Sequence, residues 1–396
     1  MTNDTILVIN CGSSSLKFAL YSADNMSCMA SGLAERMGSS DALLSIKANE
    51  TRVSINLGQC DHHKAIIKVT ENLKSSGLLE KSPIGIGHRV VHGGESFSDS
   101  VLIDEQVIKK IEQCSDLAPL HNPANLLGIK LMMECFPSAI QVAVFDTAFH
   151  QTLQATSYLY PIPYELYQQH GVRRYGFHGT SHKFVAEEAA KRLNKPLKDC
   201  HFITAHLGNG CSVTAIKNGQ SVDTSMGLTP LEGLMMGTRS GDIDPGLFEF
   251  LSGIGMDSKA ISHMLNKESG LKGLSGETND MRTLFELAEK GNERATIAIN
   301  VFCFKLAKYI AAMSVSLPAI DALIFTGGIG ENASKVREYT LERLSILGFK
   351  LSNSLNNANG ENTQGRITDN KSTLALVIPT NEELVIARDT LANTTH

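Results

Sequence analysis

No Gly-Lys dipeptide occurs in the 396 residues, so a phosphate loop ending in Gly-Lys-Ser/Thr is excluded. Eight cysteines are present but no Cys-x-x-Cys pair, and Cys11, Cys200 and Cys303 lie in or beside apolar runs. That pattern predicts reduced, buried thiols in a cytoplasmic protein rather than a disulfide framework. Positive charge is not in excess: 36 basic against 41 acidic residues give a formal net charge of −5, with no electrostatic footprint for nucleic acid or an anionic membrane. Met1-Thr2-Asn3-Asp4 lacks the basic region and apolar core of a signal peptide. The longest apolar tract, 295–320, is interrupted by Lys305 and Lys308 and reads as a long buried helix rather than a membrane span, with surface to spare for a subunit interface.

What is present is organised around polar turns between apolar strands. Ile6-Leu7-Val8-Ile9 runs into Asn10-Cys11-Gly12-Ser13-Ser14-Ser15 and out through Leu16-Lys17-Phe18-Ala19-Leu20-Tyr21. This is a hairpin whose turn offers serine hydroxyls, backbone N–H groups and the Lys17 cation, either as an ordinary surface turn or as an oxyanion cradle. The plan recurs at 202–216, where strand, His206-Leu207-Gly208-Asn209-Gly210-Cys211 and strand follow one another. A third glycine-rich turn, Thr326 to Asn332, follows Leu323-Ile324-Phe325 and leads into a helical pattern. Three such turns in two repeated halves predict a phosphate clamp with a nucleotide in it. With 42% hydrophobic and 19% charged residues the chain reads as a soluble globular protein, and its length calls for two domains.

Along the chain, a β-rich section reaches Gly58, a helix is expected over 62–75, and Ile84 to Val91 is a strand ending at Gly93-Gly94. Asn122 is expected to cap a helix with Pro123 at its first position. Ile140 to Phe145 is a buried strand that delivers Asp146 at its C-terminal end, where ligands bind in α/β sheets. A further helix is expected from Phe184 to Leu193, and 353–370 reads as a polar surface loop. A strand at 374–378 and a helix from Glu382 close the chain; Thr380-Asn381-Glu382-Glu383 resembles a capping box, with Glu383 structural and Glu382 the freer carboxylate. Alternating strands and helices make this an α/β protein.

Other motifs weigh less. Gly328-Ile329-Gly330-Glu331-Asn332-Ala333 fits a loose dinucleotide pattern, but no acid occurs between Ser345 and Leu355 to hold a ribose. His88/His92 and His178/His182 share a four-residue spacing, yet the first pair sits in a strand and the second lacks the glutamate of a zinc helix. Arg89 and Arg239 stand among glycines, where a guanidinium can grip carboxylate or phosphoryl oxygens bidentately. His121 and His178 each precede a helix N-terminus, which suits an anion or merely a cap.

Taken together, these segments resemble the acetate kinase family, within the actin-, hexokinase- and Hsp70-like ATPases. The resemblance runs from Val8-Ile9-Asn10 to Thr380-Asn381-Glu382-Glu383-Leu384 and rests on both hairpins, on His88-Arg89-Val90-Val91-His92-Gly93-Gly94, on Phe177-His178-Gly179-Thr180-Ser181-His182, and on Gly327 to Asn332. It implies a duplicated, ribonuclease-H-like α/β fold of two domains, 1–150 completed by helix 382–396, and 151–381, with an active-site cleft between them. It implies ATP + acetate ⇌ ADP + acetyl phosphate with Mg²⁺ (Mn²⁺ as the alternative), and a homodimer through the second domain. By motif position Asn10 and Glu382 hold the metal and Lys17 meets nucleotide phosphate. Arg89 grips acetate, with Val91, Leu120, Phe177 and Pro230 around its methyl group. Asp146, His178 and Arg239 are catalytic. His206, Leu207, Gly208, Asn209 and Gly210 bind phosphate, while Asp280, Met281, Arg282, Gly328, Ile329, Gly330, Glu331 and Asn332 line the nucleoside end. Acetate is already ionised at neutral pH, so Asp146 is expected to orient Mg²⁺ waters or the arginines rather than to move a proton. A propionate or butyrate kinase is the near alternative; an actin- or Hsp70-like nucleotide switch is the alternative of a different class.

Overall fold

A computed structural model describes residues 4–48 and 50–394, and the chain divides into two compact units, Met1–Phe149 with Asn381–His396, and His150–Thr380. Each is built on a mixed sheet.

The first unit carries β1 (Thr5–Cys11), β2 (Leu16–Ser22), β3 (Cys28–Glu35), β4 (Ala42–Ala48), β5 (Thr51–Gly58), β6 (Gly85–Val90), β7 (Val101–Leu102) and β8 (Ile140–Phe145), in the order β5-β4-β3-β2-β1-β6-β8-β7. The second carries β9 (His201–Leu207), β10 (Cys211–Lys217), β11 (Gln220–Thr224), β12 (Ala322–Thr326) and β13 (Ala375–Val377), in the order β11-β10-β9-β12-β13. The segment β3-β2-β1-β6-β8 repeats as β11-β10-β9-β12-β13: in each, the first three strands pair antiparallel and the last three parallel. The duplication expected from the two hairpins is therefore a duplication of sheet topology. Asn10 and His206 occupy the same place in it, one residue before the end of the first strand.

Strand alternation decides what each face holds. Leu7, Ile9, Leu16, Phe18 and Leu20 pack with Ala65, Ile66, Val69 and Leu73 of the helix His62–Ser75, the four apolar positions at helical spacing. Ile6, Val8, Ala19, Tyr21, Val142 and Val144 face the other way, toward Ile386 and Ala387 of the helix Glu382–Thr394. That helix comes so close that β6 has no room for side chains beneath it. A Cβ on Gly85 would lie 2.7 Å from Thr394, and one on Gly87 2.2 Å from the Thr390 hydroxyl.

In the second unit the helix Glu293–Met313 buries Ala295, Ala298, Ile299, Phe302, Cys303, Leu306, Ala307 and Ile310, while Ile297 and Phe304 on its other side are about half exposed. By length and composition alone it is apolar enough to cross a membrane, but its buried stripe belongs to this unit's core.

Three local expectations change. The helix expected from Asn122 is Asn122–Cys135, with His121 as the capping residue and no side-chain cap bond. Asn122 is its first residue, and its amide is drawn to the backbone of His92 instead. The stretch 353–370 is not a plain surface loop: it holds a short helix, Asn353–Asn357, and buries Asn356, Ile367 and Thr368. Glu383 closes no capping box. Asn381 caps the last helix by accepting from Leu384 N at 3.1 Å, and Glu383 pairs with Lys17.

Candidate active site

The first unit's candidate residues form a row across its sheet. Asn10 faces the same side as Ile6 and Val8, its register partner is Lys17, and Arg89 is the next outward position on β6 after Gly85 and Gly87. Asp146 continues β8 on that face after Val142 and Val144. The row thus lies at the C-terminal ends of the parallel strands, beside the first turn of the helix Glu382–Thr394.

Arg89 and Asp146 form a two-pronged ion pair, Nε to Oδ1 at 2.9 Å and Nη2 to Oδ2 at 2.6 Å, with the carboxylate 2% and the guanidinium 21% exposed. Burial by itself would depress the Arg89 pKa, but Asp146, then Glu382 and Glu383, hold it above the ordinary value. Glu382 also has its pKa raised, which in a carboxyl group disfavours the charged form. Burial raises its pKa, Arg89 and Lys17 oppose that, and Asp146 and Glu383 reinforce it. Lys17 is half exposed and paired with Glu383.

Two residues that sequence reasoning missed hold this row. Asn125 is buried in the helix Asn122–Cys135; it donates to Cys11 O at 2.7 Å and accepts from Val91 N at 3.1 Å, tying the first turn to the end of β6. His62 Nε2 lies 2.7 Å from Gly12 O. An asparagine three residues after Asn122, inside an otherwise apolar helix, was the available signal. Val91 is buried and Leu120 is 57% exposed.

The second unit gathers the other residues. His178 has a left-handed backbone (φ 57°) at the start of the helix Gly179–Arg192, which begins earlier than the expected Phe184. Its ring stacks on His206 with centroids 4.3 Å apart, and its Nδ1 lies 2.9 Å from the Ser212 hydroxyl. Arg239 donates to Pro230 O at 3.1 Å, and burial lowers its pKa against the opposing effect of Cys211. His178 and Arg239 meet over Gly210: a Cβ there would lie 3.3 Å from His178 Nε2 and 3.4 Å from Arg239 Nη1. Glycine at 210 keeps that space open. Phe177, by contrast, is buried at 1% exposure.

A cavity of about 700 Å³ in this unit is lined by Gly208, Asn209, Asp280, Met281, Arg282, Gly328, Ile329 and Asn332, joined by Asn279, Phe285 and Lys335, which the sequence did not single out. Gly327 sits at φ +75°, and a Cβ there would lie 2.8 Å from the Leu207 carbonyl oxygen, so the turn against Leu207 has no room for a side chain. Asp280 caps the helix Met281–Glu289, and its bonds with the Arg282 side chain, then with the capped backbone, bring its pKa down to about 2. Leu207 is fully buried, and Gly330 is buried with its carbonyl accepting from Arg337. Glu331 accepts from Gly327 N at 2.9 Å and Thr380 N at 3.1 Å, which closes the turn.

Arg337 is wholly buried and donates to the Gly330 and Glu331 carbonyls and to Asn356 and Asn359. Burial brings its pKa down to about 10. Nothing in the polar run Ser334–Glu342 marks that arginine as an interior one.

A sequence profile of the Acetokinase family matches residues 5–388. The chain belongs to the acetokinase family. It is 54% identical over 389 residues to the acetate kinase of Chromobacterium violaceum, with 98% of each chain covered, and 51% identical over 394 residues to that of Shewanella sp. strain ANA-3, with 99% of each covered. Among solved structures, a propionate kinase from Francisella tularensis superposes with a TM-score of 0.94 at 46% identity, over 98% of this chain and 99% of that one. The acetate kinase of Porphyromonas gingivalis gives 0.91 at 41%, over 98% and 99%.

Phosphoryl transfer from ATP in this family calls for a divalent cation, and the residues present fit one. Asn10 and Glu382 offer oxygen donors, and neither side chain has a hydrogen bond or ion pair among the described residues. Two protein oxygens suit a hard cation whose remaining ligands are phosphate and water. No group of three or more His, Cys, Asp or Glu arranged to hold a metal occurs among the described residues.

Proposed function

We propose that this acetokinase family member transfers a phosphoryl group between ATP and acetate, giving ADP and acetyl phosphate. The observation that carries the reading is the meeting of His178 and Arg239 over Gly210, one residue beyond the cavity wall formed by Gly208 and Asn209. A phosphoryl group in transit is planar and anionic, so catalysis is alignment plus positive charge. Arg239 supplies the fixed cation, His178 a ring nitrogen, and the backbone of His206 to Gly210 the cradle.

A carboxylate oxygen of acetate forms the new bond to the γ-phosphorus as the bond to the ADP oxygen breaks. Acetate enters ionised, so no base is required. Arg89 grips it, and Asp146 keeps the guanidinium fork in plane, which the two-pronged pair supports. Asn10 and Glu382 hold the cation, Mg²⁺ or Mn²⁺, which supplies charge neutralisation at the phosphates when bound. Lys17 reaches a nucleotide phosphate by exchanging Glu383 for it. Asp280, Met281, Arg282, Gly328, Ile329 and Asn332 take the nucleoside, while Glu331 and Gly330 shape the turn.

Val91, Leu120, Phe177 and Pro230 surround the acyl chain. One methylene is worth about 1–3 kcal/mol in such a pocket, so propionate is a poorer substrate rather than an excluded one. The chain divides functionally as 1–150 with 382–396, and 151–381. It acts in the cytoplasm as a homodimer through the second unit, which exposes Phe248, Phe250, Ile254, Ile297 and Phe304.

Hydroxamate trapping of acyl phosphate across acetate, propionate and butyrate tests the reading. Acetate is expected to give the highest kcat/KM, and equal values for propionate and butyrate would overturn it.

A further inference from the structure

Arg239 has no carboxylate to hold it: its polar partners among the described residues are Pro230 O at 3.1 Å and the Met236 sulfur at 3.8 Å. The nitrogen bonded to Pro230 is Nη1, the same one that faces Gly210. Where that nitrogen sits therefore depends on where the Pro230 carbonyl sits. Pro230 has no N–H with which to tie itself down, and its carbonyl is committed to Arg239. Its neighbours do the tying. Glu232, two residues on, accepts from Arg174 Nη2 at 2.6 Å with one carboxylate oxygen and from the Tyr160 hydroxyl with the other. Leu228, two residues back, donates its backbone N–H to that same hydroxyl at 2.8 Å. Every direction in this network is fixed by chemistry. A guanidinium and a backbone N–H only donate, so the tyrosine oxygen accepts from Leu228 and its proton goes to the carboxylate.

We propose that Glu232 is a positioning residue for Arg239: by gathering Arg174 and Tyr160 it fixes the loop 227–233, and through the Pro230 carbonyl it aims the Arg239 guanidinium at the space over Gly210. What Arg239 does there rests on the phosphoryl-transfer reading; what holds it does not. The surroundings of the carboxylate agree. Arg174 donates its other terminal nitrogen to the carbonyls of Thr224 and Ser225 at 2.8 and 3.0 Å, which roots it at the end of β11. Burial alone would lower the Arg174 pKa, but Glu232, then Tyr160, hold it above the ordinary value. Gly227 is buried beside the pair, and a Cβ there would overlap both the Glu232 carboxylate and the Tyr160 hydroxyl, so no side chain fits under them. The segment that carries Arg239 is closed separately. Gly233 N donates to Asp242 Oδ1 at 2.7 Å, Asp242 N donates to Gly233 O at 2.9 Å, and the Tyr309 hydroxyl donates to the other Asp242 oxygen. That pinch joins the ends of 233–242 and leaves Pro230, three residues outside it, to Glu232.

The test is a double-mutant cycle in steady-state kinetics beside arginine-selective ¹⁵N NMR of the full chain, with the Arg239 signals assigned by their loss in Arg239→Lys. Glu232→Ala should lower kcat with acetate on the order of 10²-fold, the loss expected for about 1 Å of misplacement, with KM for ATP unchanged. Glu232→Gln, which keeps an acceptor for Arg174 and a polar partner for Tyr160, should recover most of that loss. In an Arg239→Ala background Glu232→Ala should lower kcat little further, because effects exerted through one residue do not add. The Arg239 Nη1 protons should be resolved and slow to exchange in the wild type and averaged in Glu232→Ala. Should Glu232→Ala fail to fold, Tyr160→Phe removes one of the two partners and should lower kcat roughly tenfold, the effect of one lost hydrogen bond, with the same change in the Arg239 signals. Additive losses in the cycle, averaged Nη1 protons in the wild type, or Arg239 signals that the variants leave unchanged would overturn the proposal. Arg239 signals released by Glu232→Ala in a protein without acetate-dependent turnover would uphold the positioning role and remove the phosphoryl-transfer reading instead.

Discussion

Gly210→Ala adds one methyl group to the second unit and should nearly abolish turnover without unfolding it. The backbone at Gly210 is not in the left-handed region, so alanine meets no conformational penalty there. Its Cβ would lie 3.3 Å from both Cε1 and Nε2 of His178 and 3.4 Å from Arg239 Nη1. These contacts are tight rather than impossible, and a few tenths of an ångström of movement would relieve them. Neither neighbour is free to yield without loss, however. His178 is bonded to Ser212 and stacked on His206, and Arg239 is bonded to Pro230 O. The methyl group also takes the volume assigned to a phosphoryl oxygen. Displacement of about 1 Å at a reacting centre costs on the order of 10²-fold in rate. Steady-state kinetics should therefore show kcat down ~10²-fold, with ADP affinity by calorimetry and the unfolding midpoint near wild type. Turnover close to wild type would show that the space over Gly210 is not where the transfer occurs.

Glu382→Gln removes a carboxylate whose ionisation burial opposes. Because its folded-state pKa is raised, the charged form weakens the fold above that pKa, so the variant should melt higher at neutral pH without metal while needing at least ~10-fold more Mg²⁺ for half-maximal activity; unchanged Mg²⁺ dependence would contradict the metal assignment. His88, bonded to Gln141 at 2.7 Å, has its pKa brought down to about 4 by burial, against a partly compensating bond from Gln141. Its folded-state pKa is depressed, so the stabilisation is complete above pH 6.5 and lost as pH falls toward 4, about 3 kcal/mol in all. Urea titrations across that range should show the loss in the wild type and a flatter profile in His88→Gln; parallel profiles would refute the assignment. Asp146→Asn should lower kcat/KM for acetate while the pH–rate profile keeps both limbs, since no proton is transferred; disappearance of one limb alone would restore a proton-transfer role.

The parts of the fold readable in the sequence were those with a local physical signature. Ala65, Ile66, Val69 and Leu73 announce their helix by spacing, and the two hairpins announce the repeated sheet by their polar turns. The glycine turns also pointed to the cavity that Gly208 and Gly328 now line. What stayed hidden depends on contacts between distant segments. Glu383 looked like a cap because the sequence cannot show Lys17 beside it, and Arg337 drew no notice because Asn356 and the Gly330 carbonyl are brought to it only by folding. Asn122 looked like a cap for the same reason, with the His92 backbone as its actual partner. His182 was weighed as half of a metal pair; its hydroxyl partners, Thr204 and Ser212, lie on neighbouring strands.

ADP release measured by a coupled assay, with and without added acetate, tests the phosphoryl-transfer assignment most directly. Turnover should be strictly acetate-dependent in the wild type and fall roughly 10³-fold in Arg239→Ala while ATP still binds. Steady ADP release in the absence of acetate would mean that the protein is a nucleotide switch rather than a kinase of small carboxylates, and full activity without the Arg239 guanidinium would refute the role given to that residue.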